Sequence, residues 1–149
     1  MKINITKKEY RLLLDVFSIA TWVMNSHKFE PDPQSVPYDD LEQKFMAFAK
    51  DFGFKNLVEY DKKMEKYFHT PEYEDSESDM QFIDEFEDDS FWEKLVSNLA
   101  KRDLINEIGV EQFEKMESLD RFKKVNEIAK KYNDEFEKNG IKNLIISTH

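Results

Sequence analysis

Hydrophobic residues recur every three or four positions over most of the chain, which is the spacing that places side chains on one face of an α-helix. The first such run extends from Lys7 to Asn25. Its apolar residues include Tyr10, Leu12, Leu13, Val16, Phe17, Ile19, Ala20, Val23 and Met24. Because they occupy most of the circumference, we expect this helix to be buried on most sides and to form the centre of the fold.

Side-chain caps mark the starts of several predicted helices. A Ser, Thr, Asp or Asn followed three residues later by Glu can satisfy two of the backbone N–H groups that a helix start leaves unpaired. Four such pairs and a weaker fifth precede helically spaced runs: Thr6/Glu9, Asp39/Glu42, Asn56/Glu59, Ser90/Glu93 and Ser76/Asp79. Each pair predicts that a helix begins there.

Spacing, caps and helix-stopping residues together predict the remaining helices. A loop with three prolines, from His27 to Tyr38, follows the first helix. The predicted segments after it are Asp40–Asp51, Leu57–Phe68, Asp79–Phe86, a helix after Ser90 that breaks near Arg102–Asp103 and resumes to Ile108, a short piece over Val110–Met116, and Leu119–Lys138, which Ser118 can cap. Gly53, Gly109 and Gly140 stand where three of them should end.

The two ends of the chain carry strand-like patterns. Met1, Ile3 and Ile5 alternate with polar residues, and Leu144–Ile146 is a short run rich in β-branched side chains. Because an isolated strand is unstable, we expect the two ends to pair in a two-stranded ladder. The predicted fold is one mainly α domain, residues 1–149, with about six helices around the first and this minor ladder.

Composition narrows the classes of function. The chain has no Cys, which excludes disulfides, thiolate metal sites and a cysteine nucleophile. The N-terminal residues lack the apolar region of a signal peptide, and the longest apolar stretch, Leu12–Met24, is too short and too polar to span a bilayer. We therefore expect a cytoplasmic protein without membrane binding. The Lys-, Asn- and Phe-rich, Ala-poor composition favours a bacterial source.

The net charge of −10 is concentrated in one segment, residues 72–89, which we name the acidic segment. No Lys or Arg occurs between Lys66 and Lys94, and elsewhere the 22 basic residues are matched by 22 acidic ones. The ten carboxylates of the segment are Glu72, Glu74, Asp75, Glu77, Asp79, Asp84, Glu85, Glu87, Asp88 and Asp89. This balance argues against nucleic-acid binding, which requires a basic face.

The acidic segment is open to several interpretations. It is either a solvated surface that pairs with basic residues of the last helix (Arg121, Lys123, Lys124, Lys130 and Lys131), a docking surface for a basic protein, or a metal site. A divalent-metal-dependent hydrolase would hold Mg²⁺ or Mn²⁺ with Glu85, Asp88, Asp89 and His69. The stretch Asp75–Asp79 alternates oxygen ligands but lacks the glycine of an EF-hand loop.

No catalytic motif and no phosphate-binding glycine loop accompanies these candidates. The pattern therefore favours a non-enzymatic protein that acts without a cofactor by binding a basic protein partner, with a metal-dependent hydrolase as the alternative and a homodimer as a further arrangement. His69 could also serve as a general base if a neighbouring carboxylate raised its pKa. Trp22, in the polar stripe of the first helix, and His27 mark a candidate pocket for a small ligand.

Overall fold

A computed structural model of the chain describes residues 2–30 and 32–145. The chain divides into two compact units, Met1–Glu85 and Phe86–His149. The helices are α1 (Lys7–Asn25), α2 (Val36–Met46), α3 (Pro71–Glu74), α4 (Met80–Ile108), α5 (Val110–Lys115) and α6 (Ser118–Asn139), and the strands are β1 (Val58–Asp61) and β2 (Lys66–His69). The predicted mainly α fold with a minor two-stranded sheet is therefore confirmed, whereas one domain over residues 1–149 remains a prediction.

Helix α1 begins as its sequence predicts. The Thr6 hydroxyl accepts a 3.3 Å hydrogen bond from the Glu9 backbone N–H, and the Glu9 carboxylate accepts a 2.7 Å bond from the Thr6 backbone N–H. This reciprocal pair satisfies two donors at the helix start. No helix in the described part of the chain is long and apolar enough to cross a membrane.

The burial of α1 differs from the prediction. Only Tyr10 and Leu14 are fully buried, while Leu12, Val16 and Val23 are each more than half exposed. An apolar circumference leads to burial only where neighbouring elements cover every side. In the first unit α1 packs along one face, so the expectation of a helix buried on most sides is wrong.

The core of the first unit forms around Tyr10. Its ring stacks on Phe52 with centroids 4.2 Å apart, and its hydroxyl donates a 2.5 Å hydrogen bond to the Phe45 carbonyl. Burial, with a contribution from the Asp51 charge, raises the pKa of Tyr10 to about 12. The buried residues of this cluster are Tyr10, Leu14, Met46, Ala49, Leu57, Val58 and Tyr73.

A β-hairpin occupies the region where the sequence pattern predicts a helix over Leu57–Phe68. Strands β1 and β2 pair antiparallel, with Val58 opposite His69 and Asp61 opposite Lys66. The Asp61 carboxylate accepts hydrogen bonds from the backbone N–H groups of the next turn, at 2.7 and 3.0 Å. This local turn outweighs the helical spacing, and Asn56 does not cap a helix with Glu59.

The side chain of Gln43 completes one edge of the hairpin. Its amide nitrogen donates a 3.0 Å hydrogen bond to the Tyr67 carbonyl, and its amide oxygen accepts a 2.7 Å bond from the Tyr67 backbone N–H. Helix α2 therefore supplies β2 with the pair of hydrogen bonds that another strand would provide.

The terminal ladder is not formed by the described residues. Residues 2–6 and 141–145 contain no strand, while Met1 and Ile146 lie outside the described residues. Ile5 instead packs against the core of the first unit, and Ile3 and Ile145 are exposed. The small sheet is supplied by the internal hairpin, where a short turn joins the two strands locally.

Helix α2 starts four residues earlier than predicted. It begins at Val36, with Pro37 in its first turn, so Asp39 lies inside the helix and does not cap it with Glu42. Proline is compatible with a first turn because its missing N–H has no partner there. The helix ends at Met46, and turns continue to Gly53, whose φ of 78° favours glycine.

Helix α4 is one continuous helix where two segments and a break are predicted. Ser90 and Glu93 lie in its interior, and the chain stays helical through Arg102 and Asp103. No Gly or Pro interrupts Met80–Ile108, so a drift of the apolar face does not end the helix. Gly109, with φ 83°, separates α4 from α5 as predicted.

The second unit packs α4, α5 and α6 around buried Val96, Ala100, Leu104, Phe113 and Phe136. Helix α6 starts at Ser118 with Glu117 at its cap position, so Ser118 does not cap it. The Asp103 carboxylate joins α4 to α6: it accepts hydrogen bonds from Lys131 Nζ at 2.7 Å and from the Tyr132 hydroxyl at 2.5 Å.

Candidate functional site

A cavity of about 410 Å³ lies in the first unit between α1, α2 and β2. Its volume falls in the range of roughly 300–1,000 Å³ that is usual for small-molecule sites. Polar and aromatic side chains from all three elements line it, among them Trp22, Asn25, Asp39, Glu42, Lys66 and His69. We name it the α1–α2–β2 cavity.

Glu42 gives this cavity a buried acid. Its side chain lies on α2, the residue is 8% exposed, and one carboxylate oxygen accepts a 3.1 Å hydrogen bond from the Thr21 hydroxyl on α1. Burial raises the pKa of Glu42, and the hydrogen bond from Thr21 opposes that rise. The carboxylate thus retains acceptor capacity in a poorly solvated place.

His69 lies at the end of β2, with its ring stacked on Tyr73 at a centroid distance of 3.7 Å. Both ring nitrogens are shielded from solvent, and neither has a hydrogen-bond partner among the described residues. Burial lowers the pKa of His69, while the charge of Asp79 and the nearby backbone of Leu57 oppose that effect. His69 is therefore a neutral imidazole at neutral pH, with one donor and one acceptor nitrogen.

The expectation that a carboxylate raises the pKa of His69 is wrong, because burial has the larger effect. Glu72, the nearest acidic residue in the sequence, accepts a 2.5 Å hydrogen bond from the Asn56 amide. The buried carboxylate whose charge acts on His69 is Asp79, which accepts a 2.5 Å bond from the Ser18 hydroxyl.

The structure brings the two predicted pocket residues into contact but places only one of them in the cavity lining. Trp22 lines the α1–α2–β2 cavity, whereas His27 is exposed and meets the edge of the Trp22 ring at a centroid distance of 6.0 Å. Beside Trp22, the Asn25 amide donates a 3.2 Å hydrogen bond to the Asp39 carboxylate. Trp22 is thus the member of the pair that a ligand in the cavity would contact.

The acidic segment lies mostly at the surface. Nine of its ten carboxylate residues are exposed, and Asp79 is the buried exception. Over residues 2–30 and 32–145, none of the ten lies within 4 Å of a basic nitrogen in an ion pair. The exposed candidates are therefore Glu72, Glu74, Asp75, Glu77, Asp84 and Glu85 in the first unit and Glu87, Asp88 and Asp89 in the second unit.

Arg11 fixes the turn that joins α3 to α4. Its guanidinium forms an ion pair with Asp15, donates hydrogen bonds to the hydroxyls of Ser78 at 2.7 Å and Ser76 at 3.2 Å, and lies over the Tyr73 ring. This cation serves the turn and leaves the exposed carboxylates without an ionic partner.

Exposed apolar side chains accompany the exposed carboxylates. Phe82 is 58% exposed and Met80 38% exposed in the first turn of α4, and Phe86 is 58% exposed at the start of the second unit. Large apolar groups left in water beside charges are typical of surfaces that bind other proteins.

The proposed metal ligands do not form a site within the described residues. No group of three or more His, Asp or Glu side chains there is arranged to hold a metal ion. Glu85 accepts a hydrogen bond from the Gln81 amide and Asp88 accepts one from the Trp92 indole, each at 3.1 Å. Asp89 is exposed. Mg²⁺ or Mn²⁺ binding by these residues and His69 stays a hypothesis.

Sequence reasoning missed the acid of the cavity. Asp39 and Glu42 have the spacing of a capping pair, and that interpretation hid their position beside Trp22. A cavity between three elements also requires that β2 be recognised as a strand, whereas its residues have helical spacing. Thr21, four residues before Asn25 on the same helix face, was the available signal of a polar lining.

The function of this chain has to be inferred from its own side chains, because comparison with other proteins found no match. No protein-family model, no characterised protein and no solved structure matches this chain.

Proposed function

We propose that this chain is a non-enzymatic cytoplasmic protein that acts by binding a basic surface of a protein partner through its acidic segment. The observation that carries the proposal is the set of nine exposed carboxylates with no ion pair among the described residues. Like charges at this density repel one another, and a cationic partner would offset that repulsion on binding.

The exposed Phe82 and Met80 define the partner further. An apolar side chain among carboxylates supports a partner that presents hydrophobic residues next to Lys or Arg. Long-range attraction would speed encounter, and burial of Phe82 would slow dissociation. The proposed partner is therefore a basic amphipathic protein segment.

A pair of synthetic peptides tests the electrostatic premise. The first is an amphipathic helical peptide of Lys and Leu, and the second has Glu in place of every Lys. We expect the protein to bind the basic peptide, with an affinity that falls as NaCl is raised, and to leave the acidic peptide unbound. Fluorescence anisotropy measures both, and binding of the basic peptide that is insensitive to salt would contradict the proposal.

Two triple variants with equal charge change locate the surface. Glu74, Glu77 and Glu85 are replaced by Gln in the first, and Glu114, Glu117 and Glu127 by Gln in the second; all six are exposed. We expect the first variant to bind the basic peptide about tenfold more weakly and the second to change little. Equal losses of affinity in the two variants would show that binding depends on the net charge of the protein and not on the acidic segment, which would contradict the proposal.

A further inference from the structure

We propose that the α1–α2–β2 cavity is a binding site for a small organic cation, namely a protonated amine with an apolar or aromatic body. This site is separate from the exposed carboxylates of the acidic segment. It rests on the geometry of the first unit alone, and it assigns a small ligand to a protein for which we propose a macromolecular partner.

Charge favours a cation in the cavity. Two carboxylates, Asp39 and Glu42, line it together with one basic residue, Lys66. Glu42 is 8% exposed and receives its hydrogen bond from Thr21, so further acceptor positions of the carboxylate are free to receive donors. An ammonium group offers three donors and the opposite charge, which a buried carboxylate requires when it is ionised.

Aromatic and apolar groups suit the rest of such a ligand. Trp22 presents an indole ring, the best of the side-chain partners for a cation, and Met46 and Phe68 add apolar surface to the lining. A ligand that is only charged would leave this surface in water. A protonated amine joined to a hydrophobic body uses both parts of the cavity.

The ring of His69 is a further part of the lining. It is held by stacking on Tyr73, and both of its nitrogens are shielded from solvent. Because burial lowers the pKa of His69, the imidazole is neutral and does not repel a cation. An anionic ligand would meet two carboxylates and gain only Lys66.

A tryptophan fluorescence titration tests this site directly. The chain contains two Trp, so Trp92→Phe leaves Trp22 as the single reporter. The probes are phenethylamine, its neutral isostere 2-phenylethanol and the anion phenylacetate. We expect a saturable change with phenethylamine at millimolar concentration and binding at least about tenfold weaker for the other two. No saturable change with phenethylamine, or equal binding of the neutral isostere, would overturn the proposal.

Variants in the Trp92→Phe background identify the acid. We expect Glu42→Gln to weaken phenethylamine binding by about tenfold or more, because it keeps the shape and removes the charge. Asp40→Asn is the matched control: it lies on the same helix, is exposed and is not part of the lining, so it should leave affinity unchanged. Asp39→Asn, at the other carboxylate of the lining, provides a second test if the Glu42→Gln protein fails to fold. Unchanged affinity in a folded Glu42→Gln protein would overturn the assignment.

The two proposals fail separately. The Glu74, Glu77 and Glu85 triple variant should lose affinity for the basic peptide and keep its affinity for phenethylamine. If it loses both, the amine is bound by the exposed carboxylates and the cavity assignment is wrong.

Discussion

The hydroxyl of Tyr73 donates a 2.8 Å hydrogen bond to the carboxylate of Asp15, which ties the start of the acidic segment to the middle of α1. The same carboxylate accepts a 2.9 Å bond from the Ser78 hydroxyl and forms an ion pair with Arg11. Burial, followed by the hydrogen bond to Asp15, raises the pKa of Tyr73 well above its usual range. The turn between α3 and α4 is therefore held by a partly buried polar network.

Replacement of Tyr73 by Phe should weaken this network. The ring would keep its stacking on His69, while the bond to a charged acceptor would be lost, so we expect a loss of about 1–2 kcal/mol in the free energy of unfolding. Urea denaturation measures it. Tyr38→Phe, at an exposed tyrosine, is the control and should be neutral. A Tyr73→Phe protein as stable as the wild type would show that the hydrogen bond adds nothing.

Glu42 should make stability depend on pH. Burial raises its pKa in the folded protein above 4.5, so its contribution is most favourable below that value and is lost as the pH rises through the folded pKa. We therefore expect Glu42→Gln to raise the melting temperature at pH 7 by a few degrees, with the gain vanishing below pH 4.5. Thermal melts at several pH values measure this, and an equal gain at acidic pH would contradict the desolvation argument.

Asp103, in the second unit, should make stability depend on pH in the direction opposite to that of Glu42. Hydrogen bonds from Lys131 and Tyr132 hold the pKa of Asp103 well below 3.8. Its contribution is therefore present above pH 3.8 and is lost as the pH falls through the lower folded pKa.

We expect Asp103→Asn to cost about 1 kcal/mol at pH 7, a figure kept small because the two cationic partners of Asp103, Arg102 and Lys131, are exposed. The difference from wild type should shrink in acid. The exposed Asp120→Asn is a control with the same charge change. Chemical denaturation at pH 7 and in acid measures the difference between Asp103→Asn and wild type. A difference that grows in acid would contradict the stabilising role of the ionised Asp103.

The rival hypothesis of a metal-dependent hydrolase makes its own prediction. Ligation by Glu85, Asp88, Asp89 and His69 would stabilise the folded chain, so millimolar Mg²⁺ or Mn²⁺ would raise its melting temperature. Under our proposal neither ion raises it above a NaCl control of matched ionic strength. A rise specific to one divalent cation would favour the hydrolase and count against a purely protein-binding role.

The sequence predicts most helices because their start and stop signals are local. Thr6 and Glu9 satisfy each other at the start of α1, and Gly109 and Gly140 adopt positive φ where α4 and α6 end. Such signals need no knowledge of distant residues. The cap-like pairs at Asn56 and Ser90 gave wrong predictions of helix starts, because the same residue types also suit turns and exposed helix interiors.

The hairpin and the cavity depend on contacts between distant residues. Leu57, Tyr60 and Tyr67 satisfy helical spacing, yet Gln43 lies 24 positions before Tyr67 and binds its backbone as a neighbouring strand would. Trp22 could be recognised as a pocket residue from its place in a polar stripe. Glu42 and His69 could not be joined to it until α2 and β2 were placed.

The amide of Gln43 has a consequence for self-association. A two-stranded ribbon exposes unpaired backbone groups through which other molecules can add strands and start aggregates. Because Gln43 already occupies the donor and the acceptor of Tyr67, this position is closed to intermolecular pairing. An apolar residue at position 43 would be compatible with the helix, but it would leave the backbone groups of Tyr67 open to a strand from another molecule. The polar side chain on α2 therefore protects the hairpin beside it from aggregation.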